Sequence, residues 1–295
     1  MTTLFRTGQV AIVGRPNVGK STLTNRLVGA KVSITSKKAQ TTRHRIHGIL
    51  TTETAQLIFV DTPGFQRKHM NALNRALNRN VTSALSDVNV VVLVVEAGRW
   101  GSGEREIVAL LPAGVPVVLV INKIDRLADK ALLLPFIGSV AGEFAFTSII
   151  PVSAEKGEGT AALIDELAKY LPEGEPVFDE DDFTDRSERF LAAELLREKL
   201  FRNLGEELPY GIAVEIEKFE TEGGLRRIYA AVIVDKAAHK SIVIGKGGEH
   251  LKRISTDARK EMETLFGGKV WLETWVKVKG GWADDERALK SLGYE

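Results

Sequence analysis

The spacing of apolar and polar positions changes partway along the chain and divides it in two. In the first half, β-branched runs at residues 10–14, 46–52, 56–60, 88–95, 115–121 and 147–152 alternate with helical patterns that start near residues 19, 71, 103, 130 and 159. The runs at 88–95 and 115–121 are apolar without alternation, as expected of strands buried on both faces. Alternating strands and helices predict a three-layer α/β domain with a mostly parallel sheet. The second and third strands lie close enough in sequence to form a hairpin, so one strand is expected to run antiparallel at the edge. Residues 172–187 then carry Pro172, Pro176 and an acidic cluster (Glu173, Glu175, Asp179, Glu180, Asp181, Asp182 and Asp185), the composition of an extended linker. Beyond it, residues 189–203 form an amphipathic pattern with Phe190, Leu191, Leu195, Leu196 and Leu200 on one side. Residues 211–219 and 226–234 alternate like strands around the turn signal Glu222-Gly223-Gly224. Residues 240–264 read as helix broken at Gly245–Gly248, and residues 269–278 as a last strand, giving the order αββααβ.

Composition narrows the picture. A length of 295 residues suits two domains, and 44% hydrophobic with 27% charged residues is ordinary for globular protein. The net charge of +1 says little, but the absence of cysteine excludes disulfides, thiolate metal sites and cysteine nucleophiles. The first nine residues lack the apolar run of a signal peptide, and no apolar run is long enough to span a bilayer. Peripheral membrane contact stays open.

Three motifs in the first half carry chemistry. Gly14-Arg15-Pro16-Asn17-Val18-Gly19-Lys20-Ser21 fits G-x-x-x-x-G-K-[ST] between a strand and a helix. By chance that pattern arises in roughly one chain of this length in a hundred. Its glycines let backbone N–H groups turn toward phosphate oxygens, Lys20 can reach the β- and γ-phosphates, and the Ser21 hydroxyl can ligate Mg²⁺. Asp61-Thr62-Pro63-Gly64 follows an apolar strand: the Asp61 carboxylate can hold Mg²⁺ and the Gly64 N–H can approach a γ-phosphate. Asn122-Lys123-Ile124-Asp125 follows another, and a carboxylate there can accept from guanine N1–H and the 2-amino group together, which adenine does not offer. The Lys123 stem can lie against the base. Ser153-Ala154 closes the next strand, where a backbone N–H near Ala154 can meet guanine O6.

Together these residues resemble the translation-factor-related class of P-loop GTPases, over roughly residues 8–171. The resemblance implies a Ras-like α/β fold and a switch threonine that ligates Mg²⁺ in the GTP state. Thr41 and Thr42, in Ala39-Gln40-Thr41-Thr42-Arg43-His44, are the candidates, and relatives with Thr-Thr-Arg point to Thr42. Phe65 stands where Ras-like enzymes carry a water-orienting glutamine and cannot do that job. The chain therefore resembles the hydrophobic-substituted GTPases, which hydrolyse slowly. In some of these an Asn at the position of Asn17 helps hold K⁺ in place of an arginine finger.

In the second half, Gly245-Lys246-Gly247-Gly248 is a G-x-x-G loop between two helical stretches, which in KH modules clamps single-stranded nucleic acid. Lys246, Lys252 and Arg253 offer charge beside it. Residues 223–281 hold twelve Lys and Arg against six Asp and Glu, about +6 in a nearly neutral chain. Trp271 and Trp275, at even spacing, are expected to anchor the core face of the last strand, with Trp282 unassigned.

The αββααβ order is that of a type II KH domain, and the whole combination resembles the Era family of bacterial ribosome-assembly GTPases. The match runs through Val276-Lys277-Val278-Lys279-Gly280-Gly281-Trp282-Ala283-Asp284-Asp285-Glu286. The expected organisation is a GTPase domain over residues 1–172, an acidic linker over 173–188, a KH domain over 189–282 and a tail over 283–295. The resemblance implies binding of 16S ribosomal RNA and the 30S subunit, cytoplasmic location and loose association with the inner membrane. A monomer is expected. Two rivals remain at this stage: an RNA-binding scaffold stabilised by GTP, and a membrane-signalling GTPase.

Overall fold

The computed structural model describes residues 4–36, 38, 41–63, 85, 87–205 and 208–291, with backbone only for Glu286 and Ser291. The helix expected near residue 71, and Ala39, Gln40, Gly64 and Phe65, lie outside the described residues. Two compact units emerge. The first runs to Ser33, resumes at Thr42 and ends at Asp185; the second takes Ile34–Thr41 and continues from Arg186.

The first unit is built on β1 (Arg6–Val13), β2 (Ile46–Thr51), β3 (Ala55–Asp61), β4 (Val90–Glu96), β5 (Val117–Asn122) and β6 (Ser148–Pro151). They lie in the order β2-β3-β1-β4-β5-β6, and only β2 runs antiparallel. Helices α1 (Lys20–Val28), α2 (Ser102–Val108), α3 (Leu133–Ala141) and α4 (Thr160–Ala168) fall between and after the strands. Val90, Val92 and Val94 pack with Leu23 and Leu27 of α1 and Leu163 and Leu167 of α4. Val91, Leu93 and Val95 pack with Ile107 of α2 and Val140 of α3. Both parities of β4 are therefore buried, which explains its unbroken apolar run.

Residues 173–185 do not stand apart from this unit. Gly174 N–H donates to the Phe5 carbonyl (3.0 Å), Gln56 accepts from the N–H groups of Val177 (2.7 Å) and Phe178 (3.0 Å), and Ile49 N–H donates to the Phe183 carbonyl (3.0 Å). Thr184 bridges to Gly48 on the free edge of β2. The acidic segment is a strap on the first sheet.

The second unit contains α5 (Glu188–Asn203), β7 (Ile212–Glu222), β8 (Leu225–Val234), α6 (Ala237–Ile244), α7 (Glu249–Phe266), β9 (Val270–Val278) and the short α8 (Glu286–Ser291). Ser187 caps α5 by accepting from Phe190 N–H at 3.3 Å. Strand β8 pairs antiparallel with β7 and parallel with β9. The core draws on one parity of the sheet: Ile228, Ala230, Val232 and Val234 on β8, and Val270 and Val276 on β9. These meet Leu195, Leu196 and Leu200 of α5 and Ile254, Ala258 and Met262 of α7.

That parity corrects the reading of the tryptophans. Trp271 is on the other face of β9 and 55% exposed, and Trp275, on the same face, is only partly buried. Trp282, beyond the strand, is instead fully buried and donates its indole N–H to the Gly211 carbonyl at 3.1 Å. Alternation identifies two faces of a strand without saying which one the helices cover. Trp282→Ala is expected to destabilise the second unit by about 3–5 kcal/mol. Trp282→Phe, which loses the hydrogen bond and part of the volume, should cost less than half as much. Urea unfolding of the full chain measures both.

Candidate nucleotide site and nucleic-acid interface

Strand β1 delivers the phosphate loop and α1 carries it away. Asn17 (φ 66°) and Gly19 (φ 102°) both take left-handed backbone conformations, turning the loop sharply into the helix. At Gly19 a Cβ would lie 2.3 Å from Asn122 Nδ2, so the close approach of the β5 end requires glycine. The Lys20 ammonium is buried beneath the loop and donates to the carbonyls of Gly14 (3.0 Å) and Arg15 (2.9 Å). Burial lowers its pKa from 10.5 to about 8, while the Asp61 charge pulls it back up. Arg15 reaches out of the loop to Glu104 of α2 at 3.3 Å.

Oxygen donors gather beside Lys20. The Ser21 and Thr42 hydroxyls lie 2.8 Å apart. Asp61, at the end of β3, is fully buried; its Oδ2 accepts from the Ser33 hydroxyl at 2.6 Å, and its Oδ1 has no hydrogen-bond partner among the described residues. Burial pushes the Asp61 carboxyl above the ordinary aspartate range, opposed by Ser33, Lys20, Ser21 and the Thr62 N–H. Two hydroxyls and a buried carboxylate oxygen in want of a partner suit a hard divalent cation such as Mg²⁺. Thr62 Oγ1 donates back to the Ile12 carbonyl at 2.9 Å, fixing the turn after β3.

The residues expected to read the base form a second cluster around Asn122. Its Nδ2 donates to the Val18 carbonyl (2.9 Å), and its Oδ1 accepts from the N–H groups of Lys123 (2.8 Å) and Ala154 (3.0 Å). The Ala154 N–H, expected near a guanine O6, is thus directed at Asn122. Lys123, with φ 65°, extends its ammonium to the Asn17 carbonyl (2.7 Å) and to Glu96 (2.7 Å). Asp125, in the single helical turn Ile124–Arg126, accepts from the Ser153 hydroxyl at 2.6 Å, so one carboxylate oxygen is oriented by the last loop. Arg26 of α1 donates to the carbonyls of Ala154 (3.1 Å) and Glu155 (2.5 Å). The Gly14 and Val18 carbonyls accept from Lys20 and Asn122, Val18 and Ile124 pack against the two cores of the unit, and Pro16 and Pro63 lie in the loops after β1 and β3. Sequence reading does not single out Ser33, Arg26 or Glu96; none sits in a motif, and each acts through a partner distant in sequence.

In the second unit, α6 ends at Gly245 and α7 starts at Glu249. Gly245 has φ 73°, and a Cβ there would meet the His250 Cβ at 2.5 Å. Gly248, the last residue of the loop Gly245-Lys246-Gly247-Gly248, lines one end of a groove of about 360 Å³ between α7 and β9. Gly248, Leu251, Lys252, Ser255, Arg259 and Thr274 help line it. Lys252 lines this groove, Arg253 is exposed on α7 outside that lining, and Arg259 is a lining cation that loop spacing does not reveal. Glycines, cations and an apolar wall are the elements that hold a single-stranded backbone.

The lowered Lys20 pKa has a measurable consequence. Between about 8 and 10.5 the unfolded chain holds a proton that the folded chain has released, so stability rises with pH across that window. Urea unfolding without nucleotide should show a rise of at most about 3 kcal/mol. Lys20→Met should remove that component, and a profile unchanged by the substitution would contradict the assignment.

Comparison with known proteins places both halves. A family model for 50S ribosome-binding GTPases matches residues 9–123, and a KH-domain model matches residues 207–283. GTPase Era of Nitrosomonas eutropha is 58% identical over 291 residues, covering 99% of this chain and 98% of that protein. GTPase Era of Chromobacterium violaceum is 57% identical over 293 residues, covering 99% of each. Among solved structures, a point variant of Aquifex aeolicus Era bound to GDP·AlF₄⁻ aligns with a TM-score of 0.95 at 40% identity, over 98% of this chain and 99% of that one. Era in complex with MgGDPNP and nucleotides 1506–1542 of 16S ribosomal RNA aligns with a TM-score of 0.94 at 40% identity, again over 98% and 99%. With a Ras-like GTPase domain followed by a KH domain, matched along nearly its whole length, the chain belongs to the Era family of GTPases.

Proposed function

We propose that this GTPase uses its nucleotide state to control binding of the 3′ region of 16S ribosomal RNA during assembly of the 30S subunit. The observation that carries this reading is the full-length likeness to an Era structure holding a GTP analogue and an rRNA segment together. The loop and groove of the second unit support it independently, through their glycines, Lys252 and Arg259.

The proposed roles follow from the site. Lys20 neutralises charge on the β- and γ-phosphates, and the loop N–H groups from Asn17 to Ser21 orient them. Ser21, Thr42 and Asp61 would hold Mg²⁺, which would supply positive charge to offset the phosphates. Gly64, outside the described residues, is the proposed γ-phosphate contact. Asp125 selects guanine, held in place by Ser153, while Asn122 and Lys123 brace the phosphate loop against the base-reading loops. Phe65 offers no group to orient the attacking water, so hydrolysis is slow and assisted. Asn17 is the proposed K⁺ ligand. The chain acts as a cytoplasmic monomer, and any inner-membrane contact is peripheral; among the described residues no helix is long and apolar enough to cross a membrane.

Two measurements test this reading. RNA carrying the 3′ end of 16S rRNA should bind at least tenfold tighter, about 1.4 kcal/mol, with a non-hydrolysable GTP analogue than with GDP. Equal affinities would refute the coupling, because a ligand without differential affinity shifts nothing. GTP turnover should be faster in K⁺ than in Na⁺ buffer, and Asn17→Ala should erase the difference. Equal wild-type rates in the two salts would remove K⁺ from the mechanism.

A further inference from the structure

Helix α5 carries three charged side chains in the protein interior: Glu194 (4% exposed), Arg197 (1%) and Glu198 (0%). Burying an ion costs several kcal/mol unless partners compensate it. The nucleotide chemistry above uses none of the three. Much of their compensation comes from Ile34–Thr41, which belongs to the same compact unit as α5.

The segment is fastened at three points. Glu198 Oε1 accepts from the Thr35 N–H (2.8 Å) and hydroxyl (3.2 Å). Arg202 donates to the Thr35 carbonyl (3.1 Å) and hydroxyl (2.8 Å). The Lys38 ammonium donates to the carbonyls of Phe201 (2.7 Å), Leu204 and Gly205 (3.2 Å). These carbonyls mark the C-terminal end of α5, where the helix dipole favours a cation. Last, Arg197 forms a two-pronged pair with Glu194 (2.7 and 2.6 Å) and donates from Nη2 to the Thr41 carbonyl at 2.6 Å. Glu194 thus fixes the plane of the guanidinium, and the guanidinium fixes the carbonyl.

Thr41 and Thr42 are consecutive residues, and the Thr42 hydroxyl lies 2.8 Å from that of Ser21. We propose that Arg197 is a positioning residue for the nucleotide switch: by holding the Thr41 carbonyl it sets the backbone from which Thr42 reaches the cation. This rests on the reading of Thr42 as a cation ligand. Thr42 is joined by one peptide bond to the segment fastened along α5. Lys199 of the same helix pairs with both Glu198 and Glu261 of α7, the helix that lines the groove.

The test uses the full chain with fluorescent GDP and a fluorescent non-hydrolysable GTP analogue, each titrated across Mg²⁺ concentration. Arg197→Lys keeps the charge but cannot serve Glu194 and Thr41 through one planar fork. Thr35→Ala loosens the far end of the segment without removing a charge. Thr42→Ala is the control for the ligand itself. Arg197→Lys and Thr42→Ala should each weaken binding of the analogue by roughly tenfold and move its Mg²⁺ midpoint upward. GDP affinity should barely move, while Arg197→Lys lowers the thermal unfolding midpoint because the buried Glu194 loses its two-pronged partner. Thr35→Ala should act in the same direction, with a smaller effect. If Thr42→Ala is effective while Arg197→Lys and Thr35→Ala leave the analogue unaffected, the positioning role is wrong and the ligand role stands. If Thr42→Ala is itself without effect, both fall. Equal loss of GDP and analogue in Arg197→Lys would mark a merely structural residue and also overturn the proposal.

Discussion

The carboxamide of Asn122 ties together the pieces on which the nucleotide site depends. Its nitrogen holds the Val18 carbonyl in the phosphate loop, and its oxygen holds the N–H groups of Lys123 and Ala154 in the two base-reading loops. The residue is only 2% exposed, so each bond is made away from competing water. Gly19 has no side chain because the carboxamide occupies that space. Lys123 repeats the connection from the next position, joining the Asn17 carbonyl to Glu96. The phosphate loop and the loops after β5 and β6 are therefore parts of one hydrogen-bonded block, and the distance between them is set without a nucleotide.

Much of the fold could be read from the chain because the relevant signals were local. The unbroken apolar runs of β4 and β5 marked strands covered on both faces, and both parities are buried. The phosphate loop and the G-x-x-G loop announce themselves through glycine spacing, since backbone approach leaves little choice of residue. What stayed hidden depends on long-range pairing. Trp271, expected in the core, is exposed because helices cover the other face of the second sheet, a fact alternation cannot encode, and Trp282, left unassigned, is buried. Ser33, Arg26 and Glu96 look like ordinary surface residues until Asp61, Ala154 and Lys123 are brought beside them. The amphipathic pattern of α5 shows its leucines, yet gives no hint that Glu194, Arg197 and Glu198 are buried with them.

The two halves treat charge in opposite ways. In the first unit Lys20 and Asp61 are buried at the proposed nucleotide site, and each is shifted toward neutrality by its burial. On α5 the buried charges are matched by the protein itself, in a pair of fixed plane and a cation at the helix end.

The acidic strap has a consequence for solubility. A six-stranded sheet has two edges, and each offers unpaired backbone groups to another chain. At one edge β6 is only four residues long and ends at Pro151, which cannot donate to a neighbouring strand. At the other, β2 is covered by residues 183–185: Phe183 takes the Ile49 N–H, Thr184 takes its place beside Gly48, and Asp185 pairs with His47 at 2.8 Å. A connection between domains thus also serves as a guard strand, and its carboxylates repel a second sheet edge. Cutting it would uncover a template for self-association while leaving the nucleotide residues untouched.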